Sequence, residues 1–310
     1  MNKSPSPVKT GLNLYALLGL VILCLIWGYN WVVMKQALLY SEPFTFSALR
    51  CLLGALSLFA VLFILRRPMS PGSLSGVIIL GLLQIVGSSG LSVWALVSGN
   101  VGRTVVLCYT MPFWLLALAW PVLGERPHGP EWLAAMIAFI GLFLILQPWR
   151  FHQQLFSALL AATSGVSWAL AAIWVRRWRK KEKLDLLPLT AWQLLLGGIL
   201  LLLVALWKED MATKWTPYLI SALAYNAIFV MAVAWLLWLY ALQELPLGMS
   251  AMGTLLVPLI GVLTAWAHLG ELPNAFEGVG MALILTGLGI LILEQKRRAL
   301  LVTSKAASTS

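Results

Sequence analysis

The strongest constraint in this sequence is an internal duplication. Residues 94–146 and 240–292 align without a gap at an offset of 146, and a looser match pairs residues 46–54 with 189–197. The matched positions of the long alignment include Trp94 and Tyr240, Gly102 and Gly248, Pro112 and Pro258, Gly124-Glu125-Arg126-Pro127 and Gly270-Glu271-Leu272-Pro273, and Gly141 and Gly287. Internal duplication in so apolar a chain is typical of membrane transporters built from two halves.

The composition excludes an ordinary soluble domain. Apolar residues make up 61% of the 310 positions and charged residues 10%, with a mean hydropathy of +0.90, whereas soluble domains carry roughly 25% charged residues. The three cysteines lie in apolar stretches, and the three histidines lie in or beside loops without metal-ligand spacing. The sequence therefore predicts no disulfide framework, no zinc site and no cofactor.

Long apolar stretches predict an all-α integral membrane protein. A spanning helix needs roughly 20 apolar residues, and ten stretches are candidates. They lie near residues 14–35, 43–65, 74–97, 101–123, 130–147, 155–176, 188–207, 217–242, 247–268 and 275–294. The first one lacks the short core and the small-residue cleavage site of a secretory signal, so we expect it to be a retained helix.

The distribution of Lys and Arg predicts the orientation of these spans. With both termini in the cytoplasm, fifteen basic residues fall on the cytoplasmic side and five on the outer side, while Arg50 stays inside a helix. The net charge of +10 is then explained by topology, and nucleic-acid binding is not predicted. Because five spans per half is an odd number, the second half must enter the membrane upside down.

The predicted spans and the repeat divide the chain into four parts. They are a cytoplasmic tail at residues 1–13, a first five-helix repeat at 14–149, a second, inverted repeat at 150–295, and a basic and then disordered tail at 296–310. Inverted repeats place the substrate site at their interface near the middle of the membrane, and access alternates as one bundle rocks on the other. Pro112 and Pro258 each remove a helix hydrogen bond at matching positions, which predicts kinks that either gate the path or are static bends.

Two groups of residues resemble motifs of the EamA family of the drug/metabolite transporter superfamily. They are Pro112, Gly124-Glu125-Arg126-Pro127 and Gly141 with their second copy, and the segment of Pro43, Arg50 and Gly54. The resemblance covers both halves. It implies ten helices in a bacterial inner membrane and the export of amino acids or other small metabolites. It also implies a central cavity lined mainly by spans 1, 3, 4, 6, 8 and 9. The second half departs from the pattern, with Gln193 in place of Arg50 and Leu272 in place of Arg126.

Arg50 is the clearest charged residue at membrane depth. It lies seven residues after Pro43 in span two, or roughly 10 Å along the helix at 1.5 Å per residue, and such a charge costs roughly 2.5–3.5 kcal/mol. Its planar guanidinium matches the geometry of a substrate carboxylate. Alternatively, it bonds to carbonyls at a helix end or reaches the outer interface. The structural role is favoured, because the family's cavity is not chiefly lined by span two.

Other polar and aromatic residues inside the spans are candidate substrate contacts. The amides are Asn30, Gln84 and Asn226, and the aromatic residues are Trp94, Tyr109, Trp168 and Tyr240. Each amide is either a substrate contact or a packing residue, because buried amides also hold helices together in lipid. Aromatic walls suit apolar or aromatic solutes and also cations.

The acidic residues are informative because none of the eleven is clearly placed near mid-membrane. Proton-coupled export of cationic drugs commonly relies on a buried carboxylate, and Glu125 and Glu271 lie at the wrong depth for that role. The sequence contains no Walker P-loop. It also offers no nucleophile–base or metal constellation, so an enzyme is not expected.

These observations predict a secondary or facilitative carrier that exports neutral or zwitterionic metabolites, amino acids above all, by alternating access. Facilitated diffusion and proton antiport both stay open. An exporter of lipophilic cations or drugs is the alternative that the 16 tryptophans support and the missing carboxylate weakens. A membrane receptor or scaffold that binds a solute without moving it is the alternative from another class. The expected partners are a small-molecule substrate and the lipid bilayer, and the choice between monomer and homodimer stays open.

Overall fold

The computed structural model describes residues 13–70, 72–99, 101–124, 129–146, 155–269 and 274–308. Within these ranges every regular element is helical, as the long apolar stretches predict. The α-helices are α1 Leu14–Ala37, α2 Pro43–Ile64, α3 Leu74–Leu80, α4 Leu91–Ser98, α5 Val101–Cys108, α6 Met111–Leu123, α7 Gly129–Leu146, α8 Leu155–Arg179, α9 Leu186–Lys208, α10 Pro217–Tyr225, α11 Trp235–Glu244, α12 Leu247–Gly253, α13 Leu256–Leu269 and α14 Ala275–Ser308. Two π-helical segments, Gly81–Gly90 and Asn226–Ala234, join α3 to α4 and α10 to α11.

Eight helical segments in the described ranges are long and apolar enough to cross a membrane. They are Leu14–Ala37, Pro43–Ile64, Leu74–Ser98, Thr104–Val122, Leu155–Arg179, Leu186–Lys208, Pro217–Glu244 and Leu247–His268. The two other stretches that the sequence nominates lie in α7 and α14, whose apolar parts are shorter. Large apolar side chains such as Phe63, Leu155 and Trp207 are at least 75% exposed on the outside of the bundle. Such a surface is expected of a protein that is surrounded by lipid.

Two glycines show how the halves are related. Helices α7 and α14 pack against each other, and a methyl group added to Gly141 would lie 2.6 Å from the carbonyl oxygen of Gly280. A methyl group added to Gly287 would lie 2.8 Å from the carbonyl oxygen of Ala134. At the repeat offset of 146, Gly141 corresponds to Gly287 and Ala134 corresponds to Gly280, so each of these contacts is the repeat copy of the other. Mutual exchange of equivalent contacts is the property of a two-fold relation.

The π-helical segments follow the same relation. Helix α2 packs on the second segment and α9 packs on the first. The closest neighbour of a Cβ on Gly54 would be Met231, and that of a Cβ on Gly197 would be Ile85. Gly54 and Gly197 correspond in the looser sequence match, so each half has the same contact between this glycine and the π-helical segment of the other half. Segments of π-helix are rare and are frequent at functional sites, so both halves carry an unusual backbone at the same place.

Pro112 and Pro258 lie at helix breaks, which corrects the expected mid-helix kinks. Helix α5 ends at Cys108 and α6 begins at Met111, so Pro112 lies in the first turn of α6. In the second half α12 ends at Gly253 and α13 begins at Leu256, so Pro258 lies in the first turn of α13. A proline there removes no internal hydrogen bond, because the first N–H groups of a helix have no partner within it.

Some expectations fall outside the described residues or differ from the structure. Residues 1–12, 125–128 and 270–273, which include most of the duplicated Gly-Glu motif, lie outside the described residues. Helix α14 runs to Ser308, past residue 295 and into the tail that is expected to be disordered. This stretch is rich in Lys, Arg, Ala and Leu, whose high helix propensity accounts for the difference.

Candidate functional site

A small cavity lies within the bundle, between helices of both halves. Its volume is about 60 Å³. Its walls are formed by Trp27, Asn30, Trp31, Met34, Arg50, Ser88, Ser89, Ser92, Cys108, Tyr109, Ser164, Trp168, Val230, Met231 and Trp235. Ligand pockets commonly occupy about 300–1,000 Å³, so a whole solute fits here only after the surrounding helices move apart.

Arg50 is the charged residue of this cavity and is only 2% exposed. Its Nη1 donates to Oδ1 of Asn226 at 3.2 Å and to Sδ of Met34 at 3.0 Å. Its Nη2 donates to Oγ of Ser89 at 2.6 Å. All three partners are neutral, and Nε has no hydrogen-bond partner. A buried charge is stable when an opposite charge accompanies it, and the three hydrogen-bond partners of Arg50 do not supply one.

Three other wall residues also carry buried polar atoms without a hydrogen-bond partner. These atoms are Oδ1 of Asn30, Nε1 of Trp168 and Nε1 of Trp235. Buried polar groups are nearly always paired in folded proteins, and an unpaired one carries its full desolvation cost. Unpaired groups that gather around one cavity are therefore the groups that a bound polar solute would satisfy.

Four tryptophans pack together beside the cavity, and we call Trp27, Trp168, Trp235 and Trp238 the tryptophan cluster. The ring of Trp27 lies 5.3 Å from that of Trp168 and 5.0 Å from that of Trp235, while Trp168 lies 5.4 Å from Trp238. On α1, Trp27 is the wall residue nearest to Asn13, and on α11, Trp238 lies about one turn from the wall residue Trp235 in the direction of Glu244. The tryptophan cluster therefore lies on the side of the cavity that faces Asn13 and Glu244.

At the opposite end, residues of the second half hold the start of α2. The Glu209 carboxylate accepts hydrogen bonds at 2.7 Å from the backbone N–H groups of Phe44 and Thr45 and from the Thr45 hydroxyl. The backbone N–H of Lys214 donates to the carbonyl of Tyr40 at 2.8 Å. A carboxylate at a helix N-terminus is stabilising because free N–H groups and the helix dipole favour negative charge there. Glu209 thus ties the second half to the helix that carries Arg50.

A larger cavity of about 430 Å³ lies at this same end. Lys35, Tyr40, Leu96 and Lys214 are among its wall residues. The ammonium of Lys35 donates to the carbonyls of Leu96 at 2.8 Å and Gly99 at 3.3 Å. Its charge therefore satisfies carbonyls at the C-terminal end of α4, which is a favourable position for a cation.

The structure brings four of the eight sequence-predicted contact residues onto one cavity wall. They are Asn30, Arg50, Tyr109 and Trp168. Asn226 lies directly behind this wall, because it accepts a hydrogen bond from Arg50. Helix α2 contributes Arg50 alone to the described wall, which agrees with the expectation that span two is not a chief part of the lining. Among the described wall residues none belongs to α12 or α13, which form the ninth expected span.

The other three predicted contact residues lie elsewhere. Gln84 is fully buried, and both of its amide atoms lack a partner. The ring of Trp94 meets that of Phe44 at a tilt and that of Phe156 edge to face. The hydroxyl of Tyr240 accepts from Asn13 Nδ2 at 3.2 Å at the far end of the bundle.

The hydroxyl residues of the cavity are not among the contacts predicted from the sequence. Ser88, Ser89, Ser92 and Ser164 belong to its wall. Ser164 donates to the carbonyl of Ser88 at 2.9 Å, and Ser92 donates to the carbonyl of Ser89 at 2.9 Å. The run Gly87-Ser88-Ser89-Gly90 inside an apolar span is the signal that could have identified them.

The part of the chain that the structure describes contains no group of three or more His, Cys, Asp or Glu side chains able to hold a metal ion. Cys108 lies on the cavity wall, and its Sγ is 3.6 Å from the hydroxyl of Ser164. The chemistry of the cavity is therefore that of neutral hydrogen-bonding groups, aromatic rings and one guanidinium.

Comparison with known proteins identifies the family. The model of the EamA-like transporter family matches residues 14–147 and, a second time, residues 155–293. The chain therefore belongs to the EamA-like transporter family, which is of the drug/metabolite transporter type, and is a multi-pass membrane transporter.

Two relatives and one solved structure illustrate the similarity. The chain is 27% identical to a Bacillus subtilis protein named Uncharacterized transporter YoaV, over 88% of this chain and 94% of the relative. It is 26% identical to a Salmonella typhimurium protein named Probable amino-acid metabolite efflux pump, over 87% of this chain and 92% of the relative. A solved crystal structure shares the fold with a TM-score of 0.76 at 17% identity, and the match covers 91% of this chain and 99% of that one.

Proposed function

We propose that this EamA-like transporter exports small zwitterionic or neutral metabolites, amino acids above all, across the bacterial inner membrane by alternating access. One observation carries the proposal. The buried guanidinium of Arg50 lies on the wall of a cavity between the two halves, with only neutral partners among its contacts. A substrate carboxylate would supply the missing opposite charge in a geometry that suits guanidinium. A relative named as a probable amino-acid metabolite efflux pump supports the substrate class.

Ten spans with both termini in the cytoplasm are part of this proposal. The eight long apolar segments and the shorter ones in α7 and α14 provide ten helices. Helix α7 has 18 residues, or roughly 27 Å at 1.5 Å per residue, which is close to the thickness of the hydrocarbon core. The excess of Lys and Arg on one side supports cytoplasmic termini. The exchanged glycine contacts of α7 and α14 support a two-fold relation that inverts one repeat.

Each wall residue has a role in the proposed binding of an amino acid. Arg50 pairs with the carboxylate, and Asn226 holds the guanidinium in place. The unpaired Oδ1 of Asn30 accepts a hydrogen bond from the ammonium group. Tyr109 and Trp168, whose rings lie 5.4 Å apart, pack against the side chain of the solute. Gln84, Trp94 and Tyr240 lie away from the cavity, so we assign them a solute contact only in another conformation of the cycle.

Alternating access requires each end of the path to open in turn. In our proposal the tryptophan cluster closes the path toward the cytoplasm, and the contacts of Glu209 and Lys214 close it toward the outside. The helix breaks before Pro112 and Pro258 are the places where the halves can bend, because no helical hydrogen bond has to be lost there. The 430 Å³ cavity beside Lys35 then forms part of the outer exit.

The proposal is tested by counterflow in proteoliposomes that are preloaded with a mixed amino-acid pool. Labelled tryptophan, phenylalanine, threonine and cysteine are added outside without a pH gradient. We expect uptake of at least one of them above that of liposomes without protein, and loss of this uptake in Arg50→Gln.

Other outcomes would overturn this function. Saturable binding without flux, from protein that is folded by size-exclusion chromatography, would favour a receptor. Uptake of a lipophilic cation in place of any amino acid would favour a drug exporter.

A further inference from the structure

Among the buried polar side-chain atoms of the described wall residues, more hydrogen-bond donors than acceptors lack a partner. The donors without a partner are Nε of Arg50, Nε1 of Trp168 and Nε1 of Trp235, and the unpaired acceptor is Oδ1 of Asn30. All four residues belong to the wall. We propose that the cavity prefers organic anions that carry a carboxylate, a second acceptor oxygen and a planar apolar body, such as aryl 2-oxo acids, over the corresponding amino acids. This inference rests on the proposed function, in which Arg50 pairs with a substrate carboxylate, and extends the substrates of the same site from amino acids to organic anions.

Hydrogen-bonding capacity supports this preference. A 2-oxo acid anion has three oxygen atoms that accept hydrogen bonds and no donor, so it can satisfy the three unpaired donors of the wall. An amino acid replaces the keto oxygen with an ammonium group, which brings three donors and no acceptor. The carboxylate would then be the one group of the amino acid that can accept from the three unpaired donors, and the ammonium group would bring three further donors to the site. Unpaired donors in a buried site weaken binding.

Charge supports the same preference. Arg50 is ionised, and none of the described residues that form the wall carries a carboxylate. A monocarboxylate anion makes the occupied site neutral, whereas a zwitterion leaves one positive charge and a cation creates two. Charge imbalance is expensive at membrane depth, where the dielectric constant is low. The serine hydroxyls of the wall are neutral and cannot offset a second positive charge.

The shape and the aromatic surface of the wall indicate the body of the solute. Five aromatic side chains contribute to it, namely Trp27, Trp31, Tyr109, Trp168 and Trp235. Their rings meet edge to face, as in the pairs of Trp31 with Tyr109 and Trp168 with Tyr109. Flat apolar groups fit against such surfaces. Aromatic cages also bind quaternary ammonium groups, but here Arg50 lies on the same wall and repels a cation.

The test compares ligands that share one phenyl body. The purified full-length protein in detergent is titrated with phenylpyruvate, phenylacetate, phenylalanine and phenethylamine, and binding is read from tryptophan fluorescence and from the shift in unfolding temperature. We expect phenylpyruvate to bind at least tenfold more tightly than phenylalanine, phenylacetate to fall between them, and phenethylamine not to bind. Counterflow in proteoliposomes should show the same order of uptake.

Two matched variants test whether the indole N–H groups of the wall bind the keto oxygen of the ligand. Trp168→Phe and Trp235→Phe each remove an indole N–H while keeping an aromatic ring. They should reduce binding of phenylpyruvate more than binding of phenylacetate, which lacks the keto oxygen. Trp238→Phe is the control, because its indole N–H is also buried and unpaired but Trp238 is not part of the wall. The ratio of phenylpyruvate to phenylalanine affinity should be unchanged in this control.

The outcomes separate the inference from the proposed function. Equal or tighter binding of phenylalanine, with amino-acid flux intact, would overturn the anion preference and leave the proposed function standing. Absence of flux for every carboxylate, from folded protein, would overturn both. An identical effect of Trp238→Phe and Trp235→Phe on the affinity ratio would show that the indole groups of the wall are not the donors.

Discussion

Nη1 of Arg50 and Oδ1 of Asn226 lie 3.2 Å apart, and this hydrogen bond joins the two halves of the protein at the wall of the cavity. The duplication offers no second copy of it. Gln193 stands at the position that corresponds to Arg50, and its amide atoms have no partner. The helical fold is therefore duplicated, but the buried positive charge is present only in the first half. The two halves thus form one charged site between them.

Replacing Asn226 by aspartate should remove anion binding without unfolding the protein. In Asn226→Asp a carboxylate would take the place of the amide oxygen that Arg50 now contacts, and the resulting internal ion pair would compete with a substrate carboxylate. We expect carboxylate uptake to fall at least about tenfold, equivalent to ~1.4 kcal/mol. Because the variant also loses the hydrogen bond from Nδ2 of Asn226 to the carbonyl of Ala222, its size-exclusion profile is compared with that of the wild type. Uptake at the wild-type rate would show that Arg50 does not pair with the substrate.

Arg50→Lys tests whether the substrate needs the planar guanidinium of Arg50 or only its positive charge. Lysine keeps the positive charge but loses the planar fork that reaches Ser89 and Asn226 together. We expect carboxylate uptake to fall about tenfold or more, and radiolabel counterflow measures it. A variant that transports normally would show that a point charge is sufficient at this position. Comparing its size-exclusion profile with that of the wild type separates loss of transport from loss of folding.

Two buried glutamines should tolerate an apolar replacement. Gln84 and Gln193 are both fully buried with unpaired amide atoms, and neither belongs to the cavity wall. Replacing an unpaired buried polar group by an apolar one removes its desolvation cost, so Gln84→Leu and Gln193→Leu should each stabilise the fold by about 1 kcal/mol. Thermal unfolding in detergent tests this. Loss of uptake by Gln84→Leu at undiminished stability would instead place Gln84 on the path of the solute.

The exchanged glycines should not tolerate a methyl group. In Gly141→Ala and Gly287→Ala the new Cβ would lie 2.6 Å and 2.8 Å from backbone carbonyl oxygens. Unlike a side chain, the helix backbone cannot relieve the clash by changing its rotamer. We expect each variant to lose about 1–3 kcal/mol of stability through overpacking.

Gly289 is the matched control, because a Cβ there has no atom within 4 Å. Gly289→Ala should be neutral or stabilising by up to about 1 kcal/mol, since alanine favours a helix. Equal unfolding temperatures for the Gly141 and Gly289 variants would contradict the close packing of α7 on α14.

The sequence by itself determined that this protein is a duplicated helical membrane transporter. The length of apolar stretches, the distribution of Lys and Arg and the repeat spacing can all be read along the linear sequence. Lipid then permits few folds that satisfy every backbone hydrogen-bonding group. The equivalence of Gly141 and Gly287 is likewise visible in the sequence as an offset of 146.

Only the tertiary structure decided which polar residues meet. Arg50 reaches the cavity because α2 packs on the second π-helical segment, and Asn226 becomes its partner from 176 positions away. Gln84 and Asn226 look alike in the sequence, yet one has no partner and the other holds the guanidinium. Such outcomes depend on how helices rotate and pack against distant neighbours, and helical spacing alone does not specify that rotation.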